Sequence, residues 1–219
     1  MIRLSAFRWV PPFAQGLVRD LRVRWALEEA GLPYEEMLIG PDDQKAAAYR
    51  RMQPFGQVPA IDDDGLVLFE SCAIVMHLGE RSEVLLPRDD AARARVRTWM
   101  LAALNTIEPP ITVLNVIDLQ PGGPPAGASE LRESVLGRIG GRLDSLVAFL
   151  GEREHLVEGR FTAADLLMTT VLRILRTTDL VKERPTLNAY QQRHESRPAF
   201  QKALAAQMAT FARHAPPRA

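Results

Sequence analysis

The sequence predicts a small α/β domain followed by an all-helical domain, and three observations carry that reading. Strand-like and helix-like segments alternate from Ile2 to Glu80. Strand signals stop past Arg81. From Ala91 to Phe211, apolar residues recur at helical spacing.

Taken in order, Ile2–Phe7 is short and partly alternating, a strand. Leu17–Ala30 is a helix with Val18, Leu21 and Trp25 on one face and Arg19, Arg22 and Glu29 on the other, ended by Gly31-Leu32-Pro33. Tyr34–Ile39 is a second strand and Asp42–Met52 a weaker helix. Val58–Ile61 and Leu66–Phe69 form a hairpin around Asp62-Asp63-Asp64-Gly65, where Gly65 supplies the positive φ. Ser71 opens a helix that runs through Glu80. The order is βαβ, a crossover, then ββα, a mixed sheet with helices packed on it. Ser82–Asp90, with Pro87 and four charges, reads as a linker, so the expected domains are 1–81 and 91–219.

In the second half, Ala91–Leu114 is helical, with Pro109-Pro110 forcing a kink or break. Pro121–Ala128 is a Pro/Gly-rich loop. Leu131, Val135, Ile139, Leu143, Leu146 and Leu150 follow helical spacing, although Gly137, Gly140 and Gly141 each weaken that helix by about 1 kcal/mol. Apolar residues surround the axis of Ala164–Leu175, which is therefore buried on most sides, and Thr162-Ala163-Ala164-Asp165 caps it. Leu187–Phe211 is helical and interrupted by Pro198, and the tail from His214 frays.

Composition narrows the function. The chain has 219 residues, with 27 Lys+Arg against 27 Asp+Glu. That balance argues against broad binding to nucleic acid or an anionic membrane. One cysteine excludes an internal disulfide, a CxxC pair and a cysteine-based zinc knuckle, and 6% aromatics leave no base-stacking platform. The four histidines, at 77, 155, 194 and 214, share no metal-ligand spacing, so no metal is expected. No apolar run approaches the length of a bilayer span and residues 1–16 contain no signal-peptide core, which predicts a cytoplasmic protein.

The informative stretch is Pro54-Phe55-Gly56-Gln57-Val58-Pro59-Ala60-Ile61, followed by Glu70-Ser71. Pro59 keeps Val58 extended, so the Val58 backbone is available to pair with an extended, peptide-like ligand. Ser71, at a helix start, offers a hydroxyl and N–H groups to a carboxylate, and Glu70 offers a charge to an ammonium group. Together they match the zwitterionic head of an α-amino acid. Alone, Ser71 reads as an ordinary N-cap and Glu70 as a solvent-facing carboxylate. The fixed order of proline-preceded strand, hairpin and capped helix shifts the weight toward a site.

Gly56-Gln57-Val58-Pro59 and Leu68-Phe69-Glu70-Ser71-Cys72-Ala73-Ile74 resemble the glutathione-binding half of the glutathione S-transferase family. Phe161-Thr162-Ala163-Ala164-Asp165 resembles the capping box of that family's buried helix, and Leu27–Tyr34 resembles its first helix and second strand. The resemblance implies a thioredoxin-like domain with Pro59 as its cis-proline and an all-helical partner domain. It also implies glutathione as co-substrate, a hydrophobic electrophile and a homodimer. Val58 would pair with the cysteinyl part of glutathione, Glu70 and Ser71 would hold the γ-glutamyl head, Gln57 would lie nearby, and Gln44 or Lys45 would reach the glycyl carboxylate.

In one place the pattern departs from the family, which sets a Tyr, Ser or Cys near the first helix to hold the glutathione sulfur as thiolate. Here the matching position falls near Leu17 or Val18, and neither donates a hydrogen bond. The remaining donors are the Gln15 amide, the Trp9 indole, backbone N–H groups at the helix start and the Arg8 or Arg19 guanidinium, of which Gln15 sits best for the helix entry. Phe13, together with Trp99, Ala103 and Thr106 on one face of the first helix of the second domain, is assigned to the electrophile. The expected function is conjugation of glutathione to an electrophilic small molecule. The alternatives are a non-catalytic interaction or dimerisation module of the same fold and a glutathione-dependent isomerase or dehalogenase.

Overall fold

The fold is described from a computed structural model covering residues 1–120, 123, 125 and 127–216. The loop expected at 121–128 and the tail from 214 reach partly outside the described residues. The chain divides into two compact units, Met1–Arg88 with Glu195–Ala219, and Asp89–His194.

In the first unit the elements are β1 (Ile2–Phe7), α1 (Asp20–Ala30), β2 (Tyr34–Ile39), α2 (Pro41–Lys45), α3 (Ala47–Met52), β3 (Ala60–Asp63), β4 (Leu66–Phe69) and α4 (Ser71–Gly79). The sheet order is β2-β1-β3-β4, with β1 parallel to β2 and the other two pairs antiparallel. The hairpin turns on Asp64 and Gly65, both at positive φ, while Asp62 accepts a hydrogen bond from the Gly65 amide at 2.8 Å. The two-residue turn matches the strand twist, as expected for this sequence type. Two of the predicted helices differ. Ala46 is extended and splits the segment expected at Asp42–Met52 into α2 and α3. The segment 17–19 belongs to a turn-rich entry, so α1 begins at Asp20 rather than Leu17.

The expected split of the chain also differs at both of its edges. Leu85 and Leu86 of the expected linker are buried, and Leu86 lies so close to Gly79 that a β-carbon there would meet it at 2.6 Å. The last helix, expected with the helical domain, packs on α1. This helix (Pro198–Arg213) seats Phe200 edge-to-face on Trp25 with centroids 4.8 Å apart. Buried Asp20 accepts from Arg24 at 2.7 Å and from Gln207 at 2.8 Å, and Glu29 takes both guanidinium arms of Arg197 at 2.6 and 2.8 Å. Thus, of the three residues read as solvent decoration, Arg19 is exposed while Arg22 and the Glu29 side chain are covered, and Asp20 and Arg24 are buried as well. Burying charge is tolerated where partners satisfy it.

The second unit begins with α5 (Asp90–Ala102), which passes through a π-turn at Ala103–Ile107 into α6 (Glu108–Asp118). A proline pair does not break the helix here because it lies at the start of α6. Pro110 has no N–H for the carbonyl four residues back. That carbonyl, of Thr106, accepts instead from Arg142. Contrary to expectation, the run Asp90–Asp118 is long and apolar enough to cross a membrane by length and composition. It nevertheless buries Val96, Met100, Ala103, Ile107, Ile111 and Leu114, the pattern of a core helix.

α7 (Ala128–Leu150) is unbroken despite its three glycines, of which only Gly140 is approached, by Arg184. α8 (Ala163–Arg173) is buried along almost its whole length, and α9 spans Pro185–Glu195. The α8 capping box forms as the sequence predicts, with Thr162 and Asp165 exchanging bonds. Asp165 does more than cap. Its carboxylate accepts from Leu156 N at 2.9 Å, Tyr190 Oη at 2.8 Å, Thr162 N at 3.0 Å and Thr162 Oγ1 at 3.3 Å, joining a loop and two helices. Asp165→Ala leaves two buried backbone donors and a buried phenol without an acceptor. The expected loss is about 3–5 kcal/mol in urea unfolding; a loss below about 1 kcal/mol would show that water or other groups replace the carboxylate.

Candidate functional site

The site elements of the first unit converge where β3 begins. Val58-Pro59 is a cis peptide. Val58 is buried in a cluster with Ile39 and Tyr49, against which Phe7, Val18 and Met37 pack. The residues flanking Val58-Pro59 are held by a relay of hydroxyls. The Ala60 N–H donates to Ser5 Oγ at 2.7 Å, Ser5 and Tyr49 hydroxyls meet at 2.9 Å, and Tyr49 Oη donates to the Gln57 carbonyl at 2.5 Å. Because Tyr49 spends its proton on Gln57, the Ser5 hydroxyl must be the donor to Tyr49. Burial pushes the Tyr49 phenol above its ordinary pKa, which keeps it a donor.

The preceding loop is braced from three sides. Gln53 Oε1 accepts from Phe55 N at 2.7 Å and Gln57 N at 3.2 Å, Gln44 Nε2 donates to the Gly56 carbonyl at 2.8 Å, and Arg50 donates to the Pro54 carbonyl at 2.7 Å. Gly56, at φ +66°, has no room for a β-carbon, which would sit 2.7 Å from the Gln44 carbonyl. Gln44 therefore supports the loop, while Gln57 and Lys45 remain exposed.

Beside this loop, where Phe69 pairs with Ala60, β4 ends at Phe69 and α4 begins at Ser71, leaving Glu70 alone to reverse the chain. It does so at φ 68° and ψ 114°, with its side chain exposed. A non-glycine residue at such angles stores roughly 1–3 kcal/mol of strain, a feature that concentrates at functional sites. Ser71 is buried, and its Oγ accepts from Arg22 Nη1 at 3.3 Å. Arg22 is itself 3% exposed, which places a buried guanidinium of α1 under the first residue of α4. α4 presents its N-terminal N–H groups at the same point. A carboxylate reaching this junction meets a hydroxyl, helix amides and a fixed positive charge. Cys72, one residue further, is buried, and burial pushes its thiol up to about 11.

The remaining candidates are less gathered. Gln15 donates to the Val10 carbonyl at 3.0 Å, so one N–H of the amide braces the loop between β1 and α1. Trp9 is half-buried in that loop, Phe13 is 58% exposed, and the Arg8 guanidinium pairs with Asp43 at 2.9 Å. In the second unit, Trp99, Ala103 and Thr106 do not share one face. The π-turn changes the angular step between them, so Ala103 is buried in the core and Thr106 is exposed, while the Trp99 ring packs on Phe149 with centroids 4.4 Å apart. Sequence reasoning missed Arg22, read as surface decoration, and Tyr49. Nothing local in the sequence marks either residue, because their partners lie 49 and 44 residues away.

Comparison with known proteins agrees with this geometry. Family models described as the glutathione S-transferase N-terminal and C-terminal domains match residues 21–81 and 115–198. Glutathione S-transferase 3 of Zea mays is 32% identical over 203 residues, covering 85% of this chain and 88% of that protein. Glutathione S-transferase F13 of Arabidopsis thaliana is 32% identical over 170 residues, covering 72% and 76%. Among solved structures, glutathione transferase F7 of Populus trichocarpa superposes with a TM-score of 0.80 at 25% identity, covering 95% of this chain and 99% of that one. A glutathione transferase family member from Pseudomonas fluorescens, with two glutathione bound, superposes with a TM-score of 0.81 at 25% identity, covering 93% and 92%. With both domains matched, and a braced loop before a cis-proline followed by a strained helix start, the chain belongs to the glutathione S-transferase family.

Proposed function

We propose that this chain binds glutathione at the β3–α4 edge of the first unit and conjugates its thiolate to a hydrophobic electrophile. The observation that carries the reading is the Glu70-Ser71 junction, where an exposed carboxylate on a strained residue adjoins a buried hydroxyl backed by Arg22. In this reading the γ-glutamyl carboxylate sits on Ser71 and the start of α4, and its ammonium group on Glu70. The Val58 backbone pairs with the cysteinyl unit, with Gln57 beside it. The protein contributes no sulfur of its own. It orients the tripeptide and favours the anion, and the thiolate displaces a leaving group or adds to an activated double bond. A homodimer and a cytoplasmic location belong to the same proposal.

Glu70→Ala and Ser71→Ala each remove one charge-assisted contact, worth about 1.5–3 kcal/mol. Calorimetric titration should show glutathione binding at least about 10-fold weaker in each variant. Unchanged affinity in both would remove the basis for the site.

Thiolate stabilisation is where a second reading has support. Leu17 and Val18 offer no hydroxyl, and Gln15 is partly engaged at Val10. Those facts favour a module that binds glutathione without conjugating it. A thiol of pKa about 8.5 needs roughly 2.7 kcal/mol of anion stabilisation to ionise two units lower. Supplying a hydroxyl in L17S or V18S should lower the pKa of bound glutathione by about one to two units in one of the two variants, read as thiolate absorbance against pH. No change in either would mean that the sulfur lies away from the α1 entry. Turnover by the unmodified chain of any electrophile in a thiol-conjugation panel decides between enzyme and binding module.

Cys72 provides the matching control. Its thiol is raised to about 11, so alkylation of the native protein by iodoacetamide should climb through that pH, whereas denatured protein reacts near pH 8.5. Native Cys72 keeps its proton where the unfolded thiol loses it, so its contribution to stability is full below the unfolded value and is lost as pH rises through about 11. Rapid alkylation at pH 7 would instead identify a reactive cysteine.

A further inference from the structure

The second unit contains a side-chain cluster that the glutathione chemistry does not use. His155 follows α7, Asp165 lies in the first turn of α8, and His194 is in the last turn of α9. Their ligand atoms, one from each residue, all lie within 4.8 Å of one another. Spacings of ten and 29 residues match no linear metal motif, and the fold alone assembles the group. His194 is fully buried between the rings of Tyr190 and Phe161, and His155 is half-buried. His155 Nδ1 faces His194 Nε2 at 3.1 Å.

We propose that this cluster is a binding site for a divalent first-row transition metal, with His155 Nδ1, His194 Nε2 and one Asp165 carboxylate oxygen as ligands. Two imidazole nitrogens on one tetrahedral ion, each about 2.0–2.1 Å from it, stand about 3.3–3.4 Å apart. The observed pair needs to open by only a few tenths of an ångström. In the metal-free pair one ring donates an N–H to the bare nitrogen of the other. On metal binding that shared proton must leave the two facing nitrogens so that both lone pairs turn to the ion.

Two imidazoles and a carboxylate suit Zn²⁺, Co²⁺ or Ni²⁺ rather than the all-oxygen shells of Mg²⁺ and Ca²⁺. The C-terminal end of α9 adds a favourable dipole for a cation, and the neighbouring Arg193 is offset by its ion pair with Glu154 at 3.3 Å. Asp165 already accepts four hydrogen bonds, two on each oxygen, so the metal displaces one of them while the other three continue to orient the carboxylate. Half-buried His155 leaves a remaining position open to water.

The test uses the full-length chain without a histidine tag, titrated with Co²⁺ and monitored by its visible d–d absorption. The expected result is a band that saturates at one equivalent, is reversed by Zn²⁺, and is weakened at least about 10-fold in affinity in His155→Ala. His155 is the residue to change because it is half-buried, and the variant's circular dichroism verifies its fold. His77→Ala should leave the titration unchanged. Absence of a saturable band in the wild type, persistence of the band in folded His155→Ala, or its loss in His77→Ala would each overturn the assignment.

Discussion

The β3–α4 edge of this molecule depends on one constraint, the reversal of the chain between β4 and α4 within the single residue Glu70. No glycine eases that turn, so Glu70 takes φ 68° and points outward, while Ser71 is driven inward onto Arg22. The strain is sustained by packing on both sides, with Phe69 paired to Ala60 in the sheet and Cys72, Ile74 and Val75 buried along α4. The result is one outward carboxylate and one inward hydroxyl on consecutive residues, an arrangement that neither a strand nor a helix alone produces. A small zwitterionic group needs little more, which agrees with a chain whose formal charges cancel.

The neighbouring start of β3 is set by neutral hydrogen bonds. Ala60, Ser5, Tyr49 and Gln57 form a single donor-to-acceptor relay that crosses β1 and α3 and fixes the backbone on both sides of Val58-Pro59. The Val58 side chain is anchored in the cluster with Ile39 and Tyr49, which leaves its backbone as the part offered to a ligand. Thus the two parts of this edge are held by different means, charge and strain at Glu70-Ser71, hydroxyl relay and apolar packing at Val58.

Much of this was legible in the sequence because it is local. The hairpin followed from a glycine-ended acidic turn, the capping box from Thr162 and Asp165, and the Glu70-Ser71 junction from its place between a strand and an apolar helix. What the sequence concealed is long-range. The charged residues of α1 looked solvated, yet Glu29 is paired with Arg197 of the C-terminal segment, which belongs to the first unit, and Arg22 is buried against Ser71 of α4. The single face expected for Trp99, Ala103 and Thr106 assumed regular α spacing, and the π-turn ahead of Pro109-Pro110 broke it. Four histidines showed no common spacing, yet the fold brings His155 and His194 within hydrogen-bond distance.

If Glu70 and Ser71 hold the γ-glutamyl head, a crystal structure of the chain with glutathione will show Ser71 Oγ and an N–H of the first turn of α4 within about 3.2 Å of the γ-glutamyl carboxylate. A Glu70 oxygen will lie within about 3.5 Å of its ammonium group, and the cysteinyl unit will pair with the Val58 backbone. Glutathione bound with its γ-glutamyl end away from Glu70 and Ser71, or with Val58 unengaged, would contradict that placement.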